Sequence, residues 1–254
     1  MINGQCKLCL KTTELQDSHL LAKALYKKSR GKGPGNPNPA RMSAQNTIQT
    51  SRQIKDYVLC WDCEQLFNRK GENYAMSLVS EGGKFPLLAT LQAARPTKVT
   101  PVFTWYDHLA VPTIDRNQLG YFALSVFWRA SVHVWPRNER TSPLIDLGPF
   151  TEVLRTYLLG ESGFPKDVVV MFVACTDALS QNIFYEPSKG NEKQETYTFL
   201  ARGLNCFMIL GPQVSDPIRT LCAVTGADKW IISRSCEDKV LDAASRLILA
   251  RPNA

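Results

Sequence analysis

The chain has 254 residues, 44% of them hydrophobic and 21% charged, with a formal net charge of +7. That length buries a sizeable core, either as one large domain or as a small one plus a medium one, and the composition excludes fibrous and low-complexity classes. The charge is uneven: residues 1–75 carry 12 Lys/Arg against 6 Asp/Glu, so almost the whole surplus lies there, and it points to a polyanionic partner for that part. The opening MINGQCKLC is polar, and the longest strongly apolar run, VVVMFVAC at 168–175, is too short to span a bilayer. The expectation is a cytoplasmic protein with no membrane partner.

In chain order, CKLC followed by KTTELQ reads as a knuckle and a short strand. SHLLAKALYKK spaces Leu20, Leu21, Ala24 and Leu25 as a helix does, with Asp17 or Ser18 as its N-cap. The segment 29–46 is rich in Gly, Pro, Asn and Ser and reads as a long loop. DYVLC predicts a strand feeding the pair Cys60/Cys63, and CEQLFNRKGENYAMSLVSE a helix weakened at Gly71. Two prolines in ARPTKVTP mark a boundary between a first unit, 1–94, and a second, 101–254. Past it come an apolar helix over 116–136 stopped by Pro136, an amphipathic helix ending at Gly160, five strand-like runs and a closing helix, CEDKVLDAASRLILA. Helices followed by successive strands predict an α+β fold whose second unit holds a largely antiparallel sheet.

Eight cysteines sort into two groups. Cys175, Cys206, Cys222 and Cys236 are isolated near apolar segments and read as small buried hydrophobes. Cys6/Cys9 and Cys60/Cys63 form two C-x-x-C pairs 50 residues apart. Each such turn brings two sulfurs to one tetrahedral ion, and two turns close a four-cysteine shell with no open position, the signature of a structural zinc. Lys23, Lys27 and Arg30 recur at helical spacing opposite the leucines, and Lys55 and Arg69 add to the basic face, a pattern that holds a phosphate backbone without reading sequence.

Knuckle, hairpin, and a second C-x-x-C opening a helix is the order of a treble-clef (ββα) finger, and here the chain resembles the HNH nuclease superfamily in the form braced by a four-cysteine zinc. In its S-H, C-E-Q-x-F and FALSVFWRAS stretches the chain also resembles a group of bacterial HNH-like sequences. The resemblance implies metal-dependent hydrolysis of phosphodiesters, in DNA, within bacterial or phage defence or genome processing. His19 falls where the family's general base lies, and Glu64, directly after Cys63, where its metal-binding third residue lies. Asn68 is one turn further along the same helix face. Asp17 and Glu64 would hold a catalytic Mg or Mn ion. Three positions depart from the family pattern. Ser18 precedes the histidine where an acid is usual, Lys55 stands where many members have asparagine, and the third residue is Glu64 instead of His or Asn.

Other readings stay open beside this one: a zinc module that binds nucleic acid without cutting it, or an adaptor with an architectural zinc. A nuclease should bring His19 and Glu64 together with an oxygen ligand; a binder should tie His19 away. In the second unit, Arg129 in an apolar helix needs a partner, which suggests an ion pair or a contact to another copy or protein. Glu72 reads as solvated surface.

Overall fold

The computed structural model describes residues 2–29, 38–43, 47–136, 141–178, 180–190, 195–212, 214–226 and 231–234. The fold is mixed α+β with two largely antiparallel sheets. The smaller contains β1 (Ile2–Gln5), β2 (Thr12–His19) and β5 (Lys55–Cys60) in the order β1-β2-β5, all antiparallel. β3 (Ala40–Met42), β4 (Thr47–Gln49), β6 (Lys98–Val99), β7 (Phe103–Tyr106), β8 (Val168–Cys175), β9 (Ile183–Lys189), β10 (Thr196–Ala201), β11 (Leu204–Leu210) and β12 (Ile231–Arg234) build the larger. Its order is β4-β3-β9-β10-β11-β8-β12-β7-β6, with β3–β9 and β12–β8 the parallel pairings. β10 and β11 are joined by Arg202 (φ +48°) and Gly203 (φ +84°), two left-handed residues of the kind a two-residue hairpin turn demands.

The helices differ from the sequence expectation in instructive ways. α1 spans only Lys23–Lys28. Asp17 and Ser18 do not cap it, because β5 recruits them into β2, where they lie opposite Tyr57 and Asp56. Interstrand pairing over 12–19 outcompetes the helical spacing that begins at Leu20. The segment 29–46 is not all loop: Ala40–Met42 pair with Ile183–Tyr185. The closing helix expected past 235 lies outside the described residues, as does Cys236. Cys175 is disulfide-bonded, not the isolated apolar residue its context suggests, whereas Cys206 and Cys222 are free and buried.

Residues 61–79 form one continuous helix in three parts: α2 (Trp61–Phe67), a π turn over Asn68–Glu72, and α3 (Asn73–Val79). The π turn sits where α5 (Arg116–Val132) presses in. A Cβ at Gly71 would come within 2.7 Å of the Phe122 amide nitrogen and 3.0 Å of the Gln118 carbonyl oxygen. Gly71 is therefore a packing requirement, not a weak point. Gly71→Ala should cost about 2–3 kcal/mol as backbone is forced apart, read as a lower urea midpoint.

α5 is buried on nearly every side and ends at Val132, before Pro136. The indole of Trp135 folds back to donate to the Arg129 carbonyl at 2.9 Å, satisfying an end that would otherwise be orphaned. α4 (Pro86–Ala93) and α6 (Phe150–Leu159) complete the layer, α6 stopping at Gly160 in the left-handed conformation. α7 (Asp216–Thr220) is a single short turn.

The boundary expected near residues 95–100 falls between α4 and β6, but packing does not divide there. One core runs from Cys6, Leu25 and Phe67 through Phe122 and Phe127 to Phe199 and Ile231. Tyr26 meets Phe184 edge-on at 5.0 Å, and Arg202 donates to the carbonyls of Lys28 and Val79. Among the described residues no helix is long and apolar enough to cross a membrane.

Candidate metal centre and adjoining cleft

The knuckle after β1 is closed by Cys6 N–H to Lys11 O and Leu10 N–H to Cys6 O, each 2.9 Å, with Leu10 in the left-handed region at φ +62°. It is held down from both sides: Lys7 N–H reaches Val58 O, and Arg155 of α6 donates to Leu8 O at 2.8 Å. The second pair straddles the end of β5 and the first turn of α2. Folding brings the four sulfurs of Cys6, Cys9, Cys60 and Cys63 within 4.8 Å of one another, and Cys9 and Cys60 lie 3.8 Å apart. A tetrahedral ion with metal–sulfur bonds of about 2.3 Å needs sulfurs about 3.8 Å apart, so the cluster fits a metal ion.

Electrostatics agree. The Cys63 thiol donates to Cys6 and pushes the Cys6 thiol down to about 4, while that same negative charge and burial push Cys63 far up, and burial raises Cys60. Four thiols crowded here accept one negative charge readily and resist the next. A cation is what lets all four ionise.

Beside this cluster lies a cleft of about 1030 Å³, walled by the end of β2, by α1 and by the helix 61–79. His19, Asp17, Glu64, Asn68, Lys23 and Lys27 all line it. The β-bulge between Gln16 and Asp17 re-aims the end of β2, so Asp17 and His19 face outward on either side of buried Ser18. His19 Nε2 lies 2.6 Å from Gln53 Oε1. An amide oxygen accepts, so Nε2 carries the proton and Nδ1 keeps its lone pair. Burial holds His19 below its ordinary value; Lys23 and Lys55 act the same way, against the Gln53 bond and Asp17. The imidazole is neutral at pH 7.

Glu64 projects into the cleft from α2. Burial raises its carboxyl, with Arg129 and a Ser18 hydrogen bond pulling the other way. Its Oε1 is buried with no hydrogen-bond partner. Asn68 lines the same cleft, and carboxylate and amide oxygens are ligand types a hard divalent ion accepts. Asp17, by contrast, is engaged by Lys55 in an ion pair.

Not every sequence candidate reaches the cleft. Lys55 stays outside it on Asp17, and Arg69 lines a neighbouring groove of about 640 Å³ with Lys11. Arg30 lies outside the described residues. Glu72, expected in solvent, is 7% exposed and accepts from Arg129 Nη2 at 2.5 Å. Arg129, 1% exposed, also donates to the His19 carbonyl at 2.7 Å and lies over the Phe67 ring. It reaches the cleft floor from α5. An arginine in an apolar helix signalled a partner; nothing in the sequence named that partner. Gln53, which orients the histidine, stands two residues before Lys55, where the family pattern has asparagine, and carried no signal of its own.

No protein-family model, curated protein or solved structure matches the chain.

Proposed function

We propose that the chain is a metal-dependent nuclease of the HNH type, acting on DNA, with a structural zinc in the four-cysteine cluster. The observation that carries this reading is the cleft itself, where His19 and Glu64 line one space with Asn68, Lys23 and Lys27. Chemistry assigns the roles. The Nδ1 atom of His19 takes a proton from a water whose oxygen attacks phosphorus. The ester bond opposite then breaks, and its oxygen leaves with the bonding pair. Lys23 and Lys27 hold flanking phosphates, so binding weakens steeply with salt. Gln53 fixes the imidazole tautomer, and Arg129 fixes the backbone that carries it. Glu64 and Asn68 are the residues that would hold Mg²⁺ or Mn²⁺, an ion that supplies charge stabilisation at the phosphate and the leaving oxygen.

One observation favours a second reading, nucleic-acid binding without cleavage: Asp17 is held by Lys55, which leaves Glu64 as the one unpaired carboxylate of the three acids in the cleft. A supercoiled-plasmid assay with Mg²⁺, Mn²⁺ and Ni²⁺ separates the two. His19→Ala should lose cleavage by about 10²- to 10⁴-fold, the worth of a general base, with zinc content and DNA affinity kept. Glu64→Gln should fall with it. Salt-sensitive binding by a wild type that never cuts would leave the binding module standing.

A further inference from the structure

The helix face that carries Glu64 and Asn68 begins with Trp61, a residue 61% exposed. Its position gives that exposure meaning. Trp61 and Gln16 line both the cleft and the neighbouring groove, so they form the ridge where the two meet. Gln65, one helical turn beyond Trp61, lines the cleft side. The side-chain amides of Gln16 and Gln65 make no hydrogen bond among the described residues, so an aromatic plane is flanked by two uncommitted sets of donors and acceptors.

Charge distinguishes the two spaces. In the cleft, two acids are already paired, Asp17 with Lys55 and Glu72 with Arg129, and the amines of Lys23 and Lys27 stand exposed on α1. In the groove, Lys11 and Arg69 are offset by Glu14 and Asp62, and Cys9, Cys60 and Cys63 line its wall. The cleft attracts phosphate; the groove has no cation surplus and suits a neutral heterocycle. A strand whose backbone follows the lysines places a neighbouring base over the ridge.

We propose that Trp61 is a stacking platform for an unpaired base, with Gln16 and Gln65 at the base edge, so that the preferred ligand is a single-stranded or locally unpaired nucleic-acid strand. Bases inside a duplex have no free face to offer an indole; an unpaired base does. This rests on the nucleic-acid reading of the cleft but not on cleavage.

The test uses the full-length chain carrying His19→Ala, so that the ligand survives, and a short fluorescein-labelled oligonucleotide, single-stranded or annealed to its complement. Adding Trp61→Ala should weaken single-strand binding roughly ten- to hundredfold, the worth of one base–aromatic stack. Duplex affinity should move less than about twofold, and the salt slope should stay unchanged because phosphate contacts are untouched. Trp61→Phe should restore most of the loss. Unchanged single-strand affinity in Trp61→Ala, or equal losses on both ligands, overturns the platform and leaves the nucleic-acid reading intact. A parent that binds neither form removes that reading and the platform with it.

Discussion

Cys63→Ser, or removal of metal by a strong chelator, is expected to collapse the N-terminal sheet and abolish the cleft. The knuckle and the first turn of α2 are 50 residues apart in sequence, and the four sulfurs close that loop together with the β2–β5 pairing and the Lys7–Val58 bond. β1 and the first half of β2 are mostly exposed, so little burial holds the hairpin once the cluster is broken. Structural zinc contributes about 10–16 kcal/mol in isolated fingers, as large as the whole stability of a typical domain. Here the loss should concentrate in the hairpin and α2, because the rest of the core continues into the larger sheet. Calorimetry should show a low-temperature transition absent from the metal-replete protein, and elemental analysis one zinc per chain before treatment and none after. The pH dependence follows in sign: ligation needs thiolates, so protons compete, and metal leaves as pH falls. An unchanged melting profile in metal-free Cys63→Ser would remove the structural role.

What could be read from sequence was what is local. C-x-x-C places two sulfurs in one turn regardless of the rest of the chain, so the cluster follows from spacing. The two runs that become β10 and β11 were equally visible as strands, and the turn at Arg202-Gly203 that joins them is seen in the fold. Features that depend on a distant partner were hidden. The stretch 17–19 carries a helix-cap composition, yet β5 claims it as strand. The π turn at 68–72 exists because α5 approaches at Gly71, 47 residues before Gln118, and no periodicity within 61–79 encodes it. Glu72 looks like surface in any window that omits Arg129. The short strand at 40–42 hides in a Gly- and Pro-rich stretch because its partner is β9.

The same contrast runs through the candidate site. His19, Glu64 and Asn68 were picked out by resemblance to the HNH pattern, and the fold gathers them in one cleft. The groups that orient them come from elsewhere: Gln53 from the far side of the 29–46 segment and Arg129 from α5. A π turn displaces helix register by one residue, which is what lets Glu72 turn inward to Arg129 while Asn68 still faces the cleft. Each of these is a tertiary decision that a motif records only as an unusual residue in an ordinary place.

Arg129→Met should be the most damaging single change outside the cysteines. The guanidinium directs its donors to Glu72 Oε1, the His19 carbonyl and the Ser125 carbonyl, in a space where it is 1% exposed. Removing it leaves the Glu72 carboxylate buried and unpaired, which costs about 3–5 kcal/mol. Glu72→Gln should cost less, because an amide can stay hydrogen-bonded to the arginine. In the double variant Arg129→Met/Glu72→Gln no buried charge is stranded, so its loss should fall short of the two single losses added together, by about 1–3 kcal/mol. Chemical denaturation of the four proteins closes that cycle. If the proposed nuclease reading holds, activity adds a second reading of the same residue. Arg129 donates to the carbonyl of His19, so folded Arg129→Lys protein, which keeps the charge but not the fork, should lose turnover while the salt-dependent DNA affinity proposed for Lys23 and Lys27 holds. Parallel loss of affinity and turnover would make Arg129 a structural pillar only. Loss of turnover alone would mean that the backbone of the proposed general base, His19, is set from the second half of the chain, so the cleft is competent only when both halves are packed as one body.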